Sequence, residues 1–160
     1  MPLYRLLYKS ASALWGDTRS ANRQIDDIVA DAALDNLRSD LSGALIASNG
    51  IFIQVLEGPL SAIEITFEKI CTDLRHRHVQ LIELAPIDER LFARWQMVRV
   101  DIREEMLPLL RVFDIALNGL VDMSKTESIL ELMRSHLTTT AVTKPPAYDA
   151  PNEMDIVQIR

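Results

Sequence analysis

The segment from residue 41 to 56 constrains the fold more than any other. Two apolar runs, 41–47 and 51–56, flank Ser48-Asn49-Gly50. Asn-Gly between strands favours a type I′ hairpin turn, because both central residues must take positive φ. The second run, Ile51-Phe52-Ile53-Gln54-Val55-Leu56, is apolar on both faces except at Gln54. Such a strand belongs at the centre of a sheet with cover on each side.

The rest of the chain supplies that cover. Residues 3–10 read as a strand with Tyr4, Leu6 and Tyr8 on one face. A helix is expected from about Asn22, with Asp26 and Asp27 in its first turns and an apolar face of Ile25, Ile28, Val29 and Ala32. Leu34 and Leu37 fall off that face. Ser61-Ala62-Ile63-Glu64 has the form of a capping box, opening a helix with Ile63, Phe67, Ile70 and Cys71 on one side. Residues 79–85 make a fourth strand, 86–92 a connector and 95–100 a fifth strand. The order β-α-β-β-α-β-β predicts an α+β, ferredoxin-like mixed sheet with two helices on one face.

Two further helices are expected to cover the other face. Met106, Leu109, Leu110, Phe113, Leu117 and Leu120 keep helical spacing, and Ser124-Lys125-Thr126-Glu127 is a second capping box before Ile129, Leu130, Met133 and Leu137. Residues 138–160, with three threonines and Pro145, Pro146 and Pro151, predict a mobile tail.

Composition removes several function classes. With 23 acidic against 17 basic residues and a net charge of −6, the chain lacks the basic stripe of a direct nucleic-acid binder. No apolar run approaches the ~20 residues of a membrane span. The single Cys71 cannot form an internal disulfide or a thiolate zinc site, and it reads as a small core residue. His76 and His78 lack partners at metal-ligand spacing, Glu57 lacks a second catalytic carboxylate, and no phosphate-cradling glycine loop is present. These features predict a cytoplasmic, single-domain protein with a short appendage.

Three polar side chains stand where a core is expected. Asn36 comes eleven residues after Ile25, which returns it almost to the apolar stripe of its helix. Gln54 shares a strand face with Phe52 and Leu56, and Tyr8 shares one with Leu6. An unpaired buried amide costs about 1–3 kcal/mol, so each needs a partner. One reading is a self-satisfied polar cluster. Another is a frame for a planar heteroaromatic ligand, since an amide offers both a donor and an acceptor to a mixed polar edge.

The strings Tyr4-Arg5-Leu6-Leu7-Tyr8-Lys9-Ser10, Asn36, Leu41-Ser42-Gly43-Ala44-Leu45, Phe52-Ile53-Gln54-Val55-Leu56-Glu57-Gly58, Asp73-Leu74-Arg75-His76 and Trp95-Gln96-Met97 occur in that order. Together they resemble the BLUF domain, a blue-light sensor that uses FAD, from about Leu3 to Val100. The resemblance implies noncovalent FAD, with FMN or riboflavin as substitutes, held between the first two helices. It implies that Tyr8 is the redox-active tyrosine, Gln54 the glutamine between it and the flavin, and Asn36 the ligand of the ring's polar edge. Asp73, Arg75 and His76 match loop residues near the flavin; Ile28, Leu45 and Phe52 match its apolar walls. Trp95 and Met97 match the pair whose exchange near the glutamine is linked to signalling. Asp35 and Ala32 depart from the common pattern, the latter removing a ring-proximal hydroxyl.

The resemblance implies a sensory unit at 1–100, and the helical spacing and composition beyond it predict a helical cap at 101–137 and a mobile tail at 138–160. No effector enzyme is legible after Val100, so output is expected in trans and without catalysis. The expected partner is a downstream effector such as a cyclic-dinucleotide phosphodiesterase or a transcription regulator, and the helices 107–118 and 125–137 offer a patch for homo-oligomerisation. The alternative is a light-independent flavin-binding or small-molecule regulatory module of the same fold.

Overall fold

The computed structural model describes residues 1–115 and 123–140. Among these residues, five strands and four helices follow in the order β1 (Leu3–Ser12), α1 (Thr18–Arg38), β2 (Ser42–Ser48), β3 (Ile51–Pro59), α2 (Leu60–Thr72), β4 (His76–Ile87), β5 (Val98–Arg99), α3 (Leu107–Ile115) and α4 (Met123–Thr140), with a 3-10 turn at Glu104–Met106. The sheet order is β4-β1-β3-β2-β5, antiparallel throughout except for the parallel β2–β5 pair. The expected α+β arrangement is the one observed, and β3 is the central strand.

The hairpin forms as its residues dictate, with Asn49 at φ 49° and Gly50 at φ 77°. Alternation along the strands then sorts the core into two layers. Leu6, Tyr8, Leu45, Phe52 and Leu56 pack beneath α1 and α2 with Ile25, Ile28 and Ile63. Leu7, Ala44, Ile46, Ile53 and Val55 face the other way, against Met106, Leu110, Ile129, Leu130, Met133 and Leu137. Those two layers account for the apolar residues on both faces of β3. No helix among the described residues is long and apolar enough to cross a membrane.

Several local expectations are corrected. α1 starts at Thr18 rather than near Asn22, because the Asp17 carboxylate accepts from the Ser20 N–H at 2.8 Å and caps the helix there; Asp26 and Asp27 lie beyond its first turn. Neither capping box forms at a helix start. α2 begins at Leu60 behind Pro59, which makes no side-chain cap, and α4 begins at Met123, so Ser61 and Ser124 are already helical. Cys71 is exposed rather than a core residue. β4 is longer than expected, and β5 pairs only at Val98 and Arg99. α4 continues through the threonines at 138–140. The helical spacing at Leu117 and Leu120 and the tail from 141 onward lie outside the described residues.

Candidate functional site

α1 and α2 both pack on the sheet, and between them opens a cavity of about 100 Å³. It is lined by Ile28, Asp31, Ala32, Asp35 and Asn36 from α1, by Thr66, Lys69 and Ile70 from α2, and by Gln54, Asp73, Arg75 and His76. Seven of the expected ligand residues therefore meet in one place: Ile28, Ala32, Asn36, Gln54, Asp73, Arg75 and His76. Leu45 and Phe52, both fully buried, form the sheet layer below it. Ligand sites for molecules of drug size span roughly 300–1,000 Å³, so seating a tricyclic ring requires the walls to part.

Tyr8 and Gln54 occupy adjacent strands in register, and the Tyr8 hydroxyl donates to Gln54 Oε1. Burial pushes the Tyr8 phenol well above its ordinary pKa, with smaller contributions from Asp73 and Cys71 in the same direction. The phenol is thus a standing proton donor. Gln54 Nε2 faces the Met97 sulfur at 3.7 Å. A thioether is a weak acceptor, so this amide N–H retains capacity for a better one.

Asn36 is fully buried, and its Nδ2 donates to the Gln96 carbonyl at 2.6 Å. Its Oδ1 is buried without a hydrogen-bond partner. An orphaned acceptor costs about 1–3 kcal/mol unless something fills the role. The expectation that Asn36 contacts a ligand edge is thus divided: one end of the amide holds the chain, and the other is vacant for an N–H donor. Asn36 and Gln54 line the same cavity, to which the one brings an acceptor and the other a donor. That pattern fits the mixed N–H and carbonyl edge of a flavin ring, and Ile28, Ala32 and Ile70 fit its apolar faces.

The loop after α2 is electrostatically fixed. Arg75 meets Asp73 through Nη2 at 2.7 Å and Nε at 3.0 Å, and reaches Asp31 of α1 at 3.3 Å. Hydrogen bonding from Arg75 holds the Asp73 carboxyl below its usual range, and Asp73 raises Arg75 in return. His76 packs on Phe52, ring centroids 4.8 Å apart, and shares a 2.8 Å hydrogen bond between Nδ1 and Ser10 Oγ. Burial lowers its pKa.

Met97 and Trp95 part company. Met97 is buried in the layer beneath α1 and α2 and touches Gln54, whereas Trp95 is half-buried and packs with the opposite layer, against the α3–α4 side. Trp95 is therefore not part of the Tyr8–Gln54 constellation. Their segment is pinned from three directions. Asn36 holds Gln96, the Gly43 N–H donates to the Trp95 carbonyl at 2.9 Å, and the buried Glu57 carboxylate accepts from the Leu91 and Phe92 N–H groups at 3.0 and 2.9 Å. Gly43 allows this crowding, since a Cβ there would sit 2.1 Å from the Val55 carbonyl oxygen. Arg5 balances Glu57 at 2.9 Å. Sequence reasoning missed Glu57 as a positioning residue, although a carboxylate following the apolar β3 run was a visible sign that something buried would have to satisfy it. It also missed Thr66 and Lys69, whose spacing on α2 gave no separate signal. Among the described residues no group of metal-ligating side chains converges.

A second cavity, of about 140 Å³, lies on the opposite sheet face between Ile46, Ile51 and Ile53 and the start of α3 at Leu107, Leu110 and Arg111. Ser48, Asn49 and Arg111 complete its lining, and none of the expected ligand residues reaches it.

Comparison with known proteins agrees with this geometry. The family model described as sensors of blue light using FAD, BLUF, matches residues 3–98. The chain is 37% identical over 92 residues to the photoactivated adenylate cyclase subunit beta of Euglena longa, covering 56% of this chain and 10% of that one. The chain spans a tenth or less of the length of the cyclase subunits it matches. Among solved structures, the photo-activated state of BlsA superposes with a TM-score of 0.71 at 26% identity, covering 82% of this chain and 94% of that one. The dark state of BlrB, a BLUF protein, gives a TM-score of 0.66 at 29% identity, with 86% and 97% covered. The chain belongs to the BLUF family of flavin-based blue-light sensors.

Proposed function

We propose that this chain is a noncatalytic blue-light photoreceptor that binds FAD noncovalently between α1 and α2 and signals by rearranging the Tyr8–Gln54 hydrogen bond. The observation that carries the reading is the buried Tyr8 hydroxyl donating to Gln54 beside the vacant acceptor of Asn36. When bound, a flavin supplies visible absorption and a strongly oxidising excited state. Tyr8 is the donor of an electron and its hydroxyl proton, and it recovers both, so the cycle leaves no net redox change. Gln54 relays the proton and ends with its amide rotated or tautomerised. A rotated amide exchanges its two ends, turning its N–H from the Met97 sulfur toward Tyr8 and its oxygen from Tyr8 toward the Met97 side, where a thioether offers no hydrogen to accept.

Output follows from where Met97 and Trp95 sit. Loss of the Gln54–Met97 contact frees the 95–97 segment, whose next residues enter β5 and whose Trp95 packs against the α3–α4 layer. Residues 1–100 then act as the sensory unit and α3 and α4 as its transmitter. The transmitter acts on a second copy or on an effector in trans, such as a cyclic-dinucleotide phosphodiesterase or a transcription regulator, in the cytoplasm. A switch of this kind biases two pre-existing packings through differential contacts. The test is an absorbance spectrum of the purified chain under blue light. Flavin bands that shift to the red and recover in the dark support the reading; a chain that takes up no added flavin, or whose flavin spectrum ignores light, refutes it.

A further inference from the structure

The mouth of the cavity between α1 and α2 carries opposite charge on its two walls. α1 contributes Asp31 and Asp35, whereas α2 contributes Thr66 and Lys69, three residues apart and so on one helical face. Arg75 lies at the same mouth, but Asp73 and Asp31 already hold its guanidinium. The Lys69 ammonium has no carboxylate partner among the described residues. At the buried end of the same cavity the unpartnered Oδ1 of Asn36 marks the space as one built for a ligand.

The flavin reading fixes the direction of the tail. With the ring's N–H and carbonyl edge at Asn36 and Gln54, the ribityl chain leaves toward solvent, through the charged mouth. We propose, resting on that reading, that Lys69 with Thr66 forms the phosphate subsite for the flavin tail, and that the α1 carboxylates confine the tail to the α2 wall. An ammonium is a compact charge with three rotatable donors on a flexible stem, suited to a phosphate whose exact position the ring does not fix. Asp31 and Asp35 repel a phosphate, which at neutral pH carries nearly two negative charges. Arg75, neutralised by its two aspartates, contributes little net attraction.

The subsite is tested by titrating the full-length apoprotein with riboflavin and with FMN, at low and at physiological ionic strength, and following flavin fluorescence. The wild type should bind FMN about fivefold more tightly than riboflavin at low salt, as expected for one exposed charge pair. The ratio should shrink as salt rises. Lys69→Ala should bring it close to one, and Lys69→Glu should invert it. Equal affinities in the wild type at low salt, or an FMN preference that survives Lys69→Glu, would overturn the subsite while leaving the flavin reading in place. Failure of both flavins to bind would remove that reading, and the subsite with it.

Discussion

Tyr8 and Gln54 are direct partners in the β1–β3 ladder, so the hydrogen bond between their side chains is a property of sheet register. A slip of one residue in either strand would send the two side chains to opposite faces. Every neighbouring pair, from Leu6 with Leu56 to Ser10 with Phe52, holds that register. The proposed photochemical pair is thus held by the two strands paired at the middle of the sheet.

Tyr8→Phe should keep the flavin and abolish the red shift, at a stability cost of about 1 kcal/mol for the lost hydrogen bond. Gln54→Leu should have the same photochemical effect, leaving the phenol unpaired at about 1–3 kcal/mol. Illuminated absorbance spectra and thermal melts check both. A normal photocycle in either variant would refute the assigned roles.

Asn36→Ala removes two interactions with one substitution: the bond to the Gln96 carbonyl and the acceptor for the ligand edge. The apoprotein should lose about 1 kcal/mol, and flavin affinity should fall by roughly tenfold or more. Asn36→Asp keeps an acceptor but sets a carboxylate against the Gln96 carbonyl, and should stabilise neither. Flavin titration of refolded apoprotein decides; full affinity in Asn36→Ala would contradict the site.

Glu57→Gln should destabilise the fold by about 2–4 kcal/mol, because an amide cannot accept at both ends and leaves Arg5 without its counter-charge. Urea unfolding measures this. Because Glu57 holds the segment that delivers Met97, the folded variant should also recover in the dark at a changed rate.

Stability should decline in two stages as pH falls. Burial lowers the His76 pKa in the fold, so the unfolded chain takes up the proton first. Its contribution is complete above about 6.5 and is lost progressively below that value. The Asp73 carboxyl, depressed by Arg75, contributes above about 4 and loses its contribution as pH drops further. Melting temperatures from pH 8 to 3 should reveal both stages, and His76→Gln should flatten only the first. An identical slope between pH 7 and 5 in that variant would show that another group is responsible.

The hairpin, the central β3 and the inward placement of Asn36 and Gln54 were legible because each follows from a local rule: paired positive φ, period-two alternation, or helical rotation by eleven residues. Helix starts were less legible. Asp17 captured the beginning of α1 from outside the apolar stripe, and Ser61 and Ser124 had the right spacing but stood one or two residues too late. The positions of Trp95 and Glu57 were hidden for a different reason. Trp95 follows a long connector, and its face depends on three distant anchors, Gly43, Asn36 and Glu57. Pairwise contacts between segments 34 to 60 residues apart leave no periodic trace in either segment.

β5 meets the sheet at only two positions, Ala44 with Val98 and Leu45 with Arg99, and a further bond joins the Val100 N–H to the Leu45 carbonyl. Arg99 is tethered to Asp26 and Asn22 of α1 at 3.2 and 2.8 Å. A strand with so short a ladder, once the bonds that Gly43 and Asn36 make to residues 95 and 96 let go, can open as its own small cooperative unit, at a fraction of the free energy of global unfolding. Amide hydrogen exchange at residues 96–100 should therefore outrun that of β1 and β3 by orders of magnitude. In the proposed function this short-laddered margin, which joins Met97 to the C-terminal helices, is where a change passes without disturbing the strands that hold Tyr8 and Gln54.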